Sequence, residues 1–408
     1  MIENGTYLAK THDGLESLLK KELQHAGASY IFQSGSSVRF QADDEQLYSF
    51  LLHTRVTIQF GLILCPAIDT AEADLSTLCG MVQWTEVIPV HSVFKVRAFH
   101  GTQQTSALRH LASELEQGIC RVFQKQFETT PKIADADEDA EFIVNLQIGE
   151  NGSCQLTLEA GGPVFERRGM IDKDENGIVS PAMAAGLIRL TGWRGSSAFI
   201  DPFANNGSFV IEAARIAKKR PPLFEDDNIL MKKWRTFRHA LWKKKREEVV
   251  AVIRKDVDWI LGSDTNYNNI SKIQYRIRNL RLNNNIKLRV AKPNTIFFPN
   301  TAGQIVTSPP ANADMKLLGD FARKTKEQAT GYKMAIFSPL NNIDTIMGMK
   351  PHKTLRVGYD ERTFYFMQFE IFNNDSAKPT PGKKIKSADK TRKPGGRGSK
   401  PNPGSARK

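Results

Sequence analysis

Beyond residue 180 the chain alternates short strand-like runs with segments of helical periodicity, and this alternation limits the fold more than any other feature of its 408 residues. Ala198–Asp201, Trp259–Gly262, Gln304–Thr307 and Met334–Phe337 read as strands. Between them, Gly207–Ala217, Ile270–Leu282 and Leu317–Lys326 space apolar residues three and four apart, as one face of a helix requires. A short helix at Ile343–Met347 and a hairpin through Leu355–Val357 and Phe364–Phe372 close the series. Repeated strand–helix units imply a mostly parallel, doubly wound α/β sheet, with the hairpin adding antiparallel edge strands.

The first half has a different texture. Leu15, Leu18, Leu19 and Leu23 form one stripe of a helix over residues 13–26, with Asp13 as cap and Gly27 as stop. A second stripe, Leu108, Leu111, Leu115, Ile119, Val122 and Phe123, predicts a helix over 107–127. Val38 and Phe40 alternate with polar residues, and strands follow at Phe142–Ile148 and Gln155–Glu159. This is an α+β pattern, and the turn Gly161-Gly162-Pro163 with the polar run Asp172–Gly177 marks the expected boundary.

Charge locates a partner class. Lys and Arg total 57 against 44 Asp and Glu, for a net +13, and residues 376–408 alone hold 11 basic residues against Asp389. That tail has no hydrophobic periodicity and is expected to be a disordered cationic arm. Arg215–Arg246 holds 12 basic residues and three acids, and Lys272–Lys292 seven and none, which predicts a basic face suited to a polyanion such as RNA. The longest apolar stretch, Phe60–Ile68, is too short to span a membrane. The N-terminus lacks signal-peptide character, and Cys65, Cys79, Cys120 and Cys154 fall in no disulfide or zinc spacing. A cytoplasmic protein without metal or membrane partner is expected.

Three strand ends carry candidate chemistry. Asp201-Pro202-Phe203-Ala204-Asn205-Asn206-Gly207-Ser208 runs from an apolar strand through a tight loop into a helix, the place where doubly wound folds hold nucleotide-like ligands. An ordinary strand–helix connection reads the same way. Asp264 closes the next strand, where a carboxylate can take both ribose hydroxyls or simply cap a helix. Ser308-Pro309-Pro310 ends a third strand; two prolines stiffen the loop so that the Ser308 hydroxyl and Pro309 carbonyl can accept from an exocyclic amino group, although a strand-ending turn would look alike.

In this order the motifs resemble class I S-adenosylmethionine-dependent amino-methyltransferases, most closely THUMP-domain rRNA methyltransferases and the N2-guanine-methylating half of the bifunctional bacterial large-subunit enzyme. Gly14-Leu15-Glu16 and Lys21-Glu22-Leu23 are similar to that family's ferredoxin-like opening, and Phe165-Glu166-Arg167-Arg168-Gly169 to its arginine-rich approach to the catalytic domain. Ile211-Glu212-Ala213-Ala214, the aromatic insertion Trp234, Phe237 and Trp242, and Gln368-Phe369-Glu370 extend the likeness over roughly residues 1–373. The resemblance implies a ferredoxin-like region at 1–58, a THUMP-like RNA-binding region at 59–162, a Rossmann-like methyltransferase domain at 163–374 and the basic tail from 375. It also implies that Asp201 to Ser208 and Asp264 bind S-adenosylmethionine, that Ser308, Pro309 and Pro310 hold the target amine, and that Arg167 and Arg168 clamp RNA, with rRNA as the partner. The chain departs from the family loop Asp-Pro-Phe-Cys-Gly-Ser-Gly-Thr at Ala204, Asn205 and Asn206, and from Asn-Pro-Pro-Tyr at Ser308 and Ala311. The acid expected near Ala291-Lys292-Pro293 is absent. An alternative reading is therefore a catalytically inactive RNA-binding or ribosome-assembly factor on the same fold.

Overall fold

The computed structural model describes residues 5–372, apart from 70–74, 101–104, 150–152, 163, 171–178, 225–227, 256, 258, 283–285, 300–301 and 360–361. The cationic tail and the run Asp172–Gly177 lie outside the described residues.

Nine strands of the first half form one sheet: β1 Gly5–Thr11, β2 Ser29–Ser34, β3 Ser37–Ala42, β4 Thr57–Ile63, β5 Ile68–Asp69, β6 Val93–His100, β7 Lys132–Ile133, β8 Phe142–Ile148 and β9 Ser153–Glu159. Their order is β2-β3-β1-β4-β9-β8-β6-β7, with β5 on the outer stretch of β9. The expected division at 58/59 falls inside β4, which pairs with β1 on one edge and β9 on the other. Gly61 permits that seam, because a Cβ there would stand 2.7 Å from the Leu158 carbonyl oxygen. Helices Glu16–His25 and Ser106–Phe127 pack with the leucine stripes legible in the sequence, and helix Asp44–His53, which the sequence reading did not single out, buries Leu47, Tyr48, Phe50, Leu51 and Leu52. Asp43 starts helix Asp44–His53 through a reciprocal capping box with Gln46.

The second half carries seven strands: β10 Ala198–Asp201, β11 Ile260–Asp264, β12 Ile286–Val290, β13 Gly303–Thr307, β14 Lys333–Ser338, β15 Lys353–Tyr359 and β16 Arg362–Glu370. The order β12-β11-β10-β13-β14-β16-β15 is parallel from β12 to β14, and the closing hairpin adds antiparallel β16 and β15. The predicted doubly wound sheet is thus present. From β10 the chain steps outward to β11 and β12, then returns to β13 on the other side. Ligand crevices open at such a reversal, outside the carboxyl ends of the strands.

Among the contacts that tie the halves together are an aromatic cluster and a buried carboxylate. Tyr48, on helix Asp44–His53, meets Phe237 and Trp242 at ring-centroid distances of 5.2 and 5.5 Å, and its hydroxyl accepts from the Arg238 N–H at 2.8 Å. Glu212, on helix Ser208–Ala217, is fully buried among Arg215 at 2.9 Å, Arg168 at 3.6 Å and Arg55 at 3.7 Å, so that three guanidiniums from separate parts of the chain converge on one carboxylate.

Candidate active site

The loop after β10 owes its shape to residues that tolerate positive φ. Asn205 sits at φ 46° and Gly207 at φ 84°. Asparagine adopts the left-handed conformation more readily than other residues with a Cβ. It therefore preserves the turn where the resembled family has glycine. A Cβ on Gly207 would meet Ile273 at 2.9 Å, so this second position has less room. Asn206 is enclosed and held at both ends of its amide: its Oδ1 accepts from the Ser208 N–H at 3.1 Å, and its Nδ2 donates to the Val179 carbonyl at 3.2 Å.

Asp264 organises the loop from the neighbouring strand. One carboxylate oxygen accepts from the Asn205 N–H at 2.9 Å and the other from the Asn266 N–H at 2.8 Å. Each oxygen keeps a second lone pair, so a hydroxyl can still donate to it. Asp201 is different. Its side chain is fully buried, with Oδ1 accepting from the Thr307 hydroxyl at 2.6 Å and from the Phe203 N–H at 3.2 Å, while Oδ2 has no partner. Burial pushes its carboxyl up to about 7, against the lowering effect of those two hydrogen bonds. The residue is a bolt between β10 and β13.

A pocket of about 270 Å³ opens at the strand reversal. Phe203, Pro293, Pro310, Ala313 and Leu317 give it apolar walls, and Asn205, Asp264, Asn269 and Asp314 give it polar ones. Of the sequence-predicted residues, Pro202, Phe203, Asn205, Asp264 and Pro310 therefore share one cavity. Asp201, Ala204, Asn206, Gly207, Ser208, Ser308 and Pro309 are not among the lining; the first five build the turn behind it. Ser308 is half-buried and Pro309 buried, and the Pro310 carbonyl accepts from the Ala313 N–H at 2.9 Å, fixing the turn that follows them. The sequence reading missed Asn269, Asp314 and Leu317. Asp314 caps helix Met315–Gln328 through Lys316 N at 2.9 Å, and a capping acid just after the Pro-Pro turn was the signal that could have located it.

Arg168 requires a correction. It was expected to clamp RNA, yet only 1% of it is exposed, and it donates to the carbonyls of Phe165 at 3.0 Å and Arg55 at 2.7 Å beside Glu212. A guanidinium with no free surface cannot reach a phosphate. Arg167 is partly exposed and lies 3.7 Å from Glu138. The two basic runs also overstate the basic face, because Arg215, Arg220 and Arg276 are buried and support structure.

The model of the RMKL-like methyltransferase domain matches residues 168–353, and that of the RlmL ferredoxin-like domain matches residues 6–57. Residues 168–353 are an RMKL-like methyltransferase domain. Around this domain the chain is 24% identical, over 391 residues, to the ribosomal RNA large subunit methyltransferase K/L of Buchnera aphidicola subsp. Schizaphis graminum. That alignment covers 90% of this chain and 54% of the relative, so the chain spans about half the length of the curated relative it matches. Among solved structures, SMU.472, a methyltransferase complexed with SAH, superposes with a TM-score of 0.77 at 18% identity, covering 91% of this chain and 99% of the other. TrmN from Thermus thermophilus superposes at 0.64 and 16% identity, covering 90% and 99%. These likenesses establish the class I methyltransferase fold, with the methyltransferase domain's strand reversal at the pocket described above. Among the described residues no helix is long and apolar enough to cross a membrane, and no cluster of side chains could hold a metal ion.

Proposed function

We propose that the chain is an S-adenosylmethionine-dependent rRNA methyltransferase that acts on an exocyclic amino group, with N2 of guanine as the target. The observation that carries this reading is that the loop after β10, Asp264 and the Pro-Pro loop after β13 bound a single pocket at the sheet's switch point. An adenosine fits what the pocket offers: Asp264 for the ribose hydroxyls, and Phe203, Pro293 and Leu317 for a flat apolar ring. The cofactor supplies an electrophilic methyl group. The protein's part is positioning. The Ser308 hydroxyl and Pro309 carbonyl accept N–H bonds from the target amine and aim its lone pair, and the displaced proton leaves to water after transfer. A single-stranded loop is the target that costs least to unstack.

Two observations favour the second reading, an inactive RNA-binding factor. Asn205 brings a side chain to the pocket wall where the resembled family has glycine, and Ala311 offers no ring to stack on a flipped base. Stacking of that kind contributes about 1–3 kcal/mol per base. Calorimetric titration with S-adenosylmethionine separates the readings: binding that Asp264→Ala abolishes supports the enzyme, and no heat at millimolar cofactor sinks it. Mass spectrometry of nucleosides from the rRNA of wild-type and deletion cells then identifies the modified base.

A further inference from the structure

A larger cavity, of about 700 Å³, opens away from the cofactor loop, between the ferredoxin-like region and the methyltransferase domain. Four ten-residue helices point their C-terminal ends at it: Glu16–His25 and Asp44–His53 from the first half, and Pro181–Leu190 and Ser208–Ala217 from the second. The last two begin beside the cofactor loop, so this cavity lies about 15 Å along their axes from the proposed methyl-transfer site. Its wall holds Lys21, Arg55, Arg189, Arg194 and Lys219 against a single acid, Glu22.

The cations exceed what the local structure needs. Four helix C-termini present about half a negative charge each, roughly two in all. Two histidines already serve them, with His25 Nδ1 donating to the Lys21 carbonyl at 2.6 Å and His53 Nδ1 to the Ser49 carbonyl at 2.8 Å. Arg55 donates to the Arg220 carbonyl at 2.7 Å, and Arg189 is bonded to Glu22. Those two arginines are engaged. Among the described residues the side chains of Lys21, Arg194 and Lys219 have no hydrogen-bond or ion-pair partner. Lys219 also holds φ 55° just past its helix, in a turn closed by Arg220 N donating to the Arg215 carbonyl at 2.8 Å. Glycine is the ordinary occupant of that position. A lysine there accepts backbone strain and places a cation at the cavity.

We infer that this cavity is a phosphate-binding site, in which Arg194, Lys219 and Lys21 take the phosphate groups of a polyanion and Arg55 and Arg189 hold the wall behind them. The phosphates can come from an RNA backbone or from a free nucleotide, and one experiment distinguishes them. The inference does not depend on methyl transfer, and the thermal melting temperature provides the internal check on folding. The full chain and the Arg194→Ala/Lys219→Ala variant are titrated with inorganic pyrophosphate by calorimetry and with a single-stranded oligoribonucleotide by fluorescence anisotropy over a salt series. Lys244→Ala/Lys353→Ala, which removes the same charge from exposed positions elsewhere, is the control. With RNA as the source, the cavity variant binds the oligonucleotide at least tenfold more weakly and its log–log salt slope falls by about 1.4, at 0.7 per single-strand phosphate. With a free nucleotide as the source, pyrophosphate affinity falls tenfold and RNA affinity holds. In both cases the control pair binds both ligands as wild type does, and every variant keeps the wild-type melting temperature. Loss of neither ligand, or equal loss in the control pair, overturns the site.

Discussion

Asp201 and His12 give opposite slopes to stability against pH. The Asp201 carboxyl sits at about 7 when folded and near 4 when unfolded, so between those values the native state holds the extra proton and stability falls as pH rises. Three pH units correspond to roughly 4 kcal/mol. His12, packed edge-on to Tyr359 and 2.9 Å from the Ser180 hydroxyl, is lowered by burial to about 4. The unfolded chain then binds the extra proton between about 4 and 6.5, and stability rises with pH across that window. Urea melts from pH 4.5 to 8 should therefore show a nearly flat wild-type profile, a rising one for Asp201→Asn and a falling one for His12→Gln. Parallel profiles in all three would refute the assignment. At the same scale, Asn205→Gly removes a side chain from the pocket wall while keeping the left-handed turn. It should tighten S-adenosylmethionine by about fivefold in calorimetry without lowering the melting temperature.

Among the elements, the insertion between β10 and β11 joins the methyltransferase half to the first half through Tyr48. Trp242, on helix His239–Ala251, is 4% exposed and stacks edge-on to Tyr48, so Trp242→Ala should cost about 3–5 kcal/mol in denaturant melts. Tyr48→Phe keeps the ring contacts and loses only the bond from Arg238 N–H, about 1 kcal/mol. Periodicity foretold the elements that bury one stripe. Helices Glu16–His25 and Ser106–Phe127 lie within three residues of their expected spans, and strands β8, β10, β13 and β14, apolar runs buried on both faces rather than one stripe, lie within one. It passed over helix His239–Ala251, whose Lys243, Lys244, Lys245 and Arg246 mask a packing face of only Trp242 and Val249. It also passed over β4, since no local pattern shows that Gly61 joins two regions into one sheet. At the candidate site the strand-end loops were legible because chain reversals concentrate Asn, Gly and Pro. Arg168 was misread because a pair of arginines looks the same in sequence whether it faces solvent or a buried carboxylate.

For the whole molecule, the question is how charge is divided between holding the halves together and meeting a partner. Glu212 belongs to the first use. Replacing it with Gln leaves Arg55, Arg168 and Arg215 buried around a neutral amide, which should destabilise the chain by about 3–5 kcal/mol and uncouple the halves in hydrogen exchange. On the proposed reading, the second use falls to the cavity cations and to residues 376–408, which carry +10 of the net +13. Phosphate neutralisation by the tail needs no fixed geometry, so its deletion should weaken RNA binding for every sequence alike. The salt slope should flatten by about 0.7 for each single-strand phosphate that the tail no longer neutralises. The cavity sits within the described part of the chain, so the tail-deleted protein should still lose affinity with Arg194→Ala/Lys219→Ala, and the two effects should add in free energy. A salt series on the four proteins of that cycle measures both. If the tail deletion alone abolishes all salt dependence, the folded surface neutralises no phosphates and the cavity is not an RNA site.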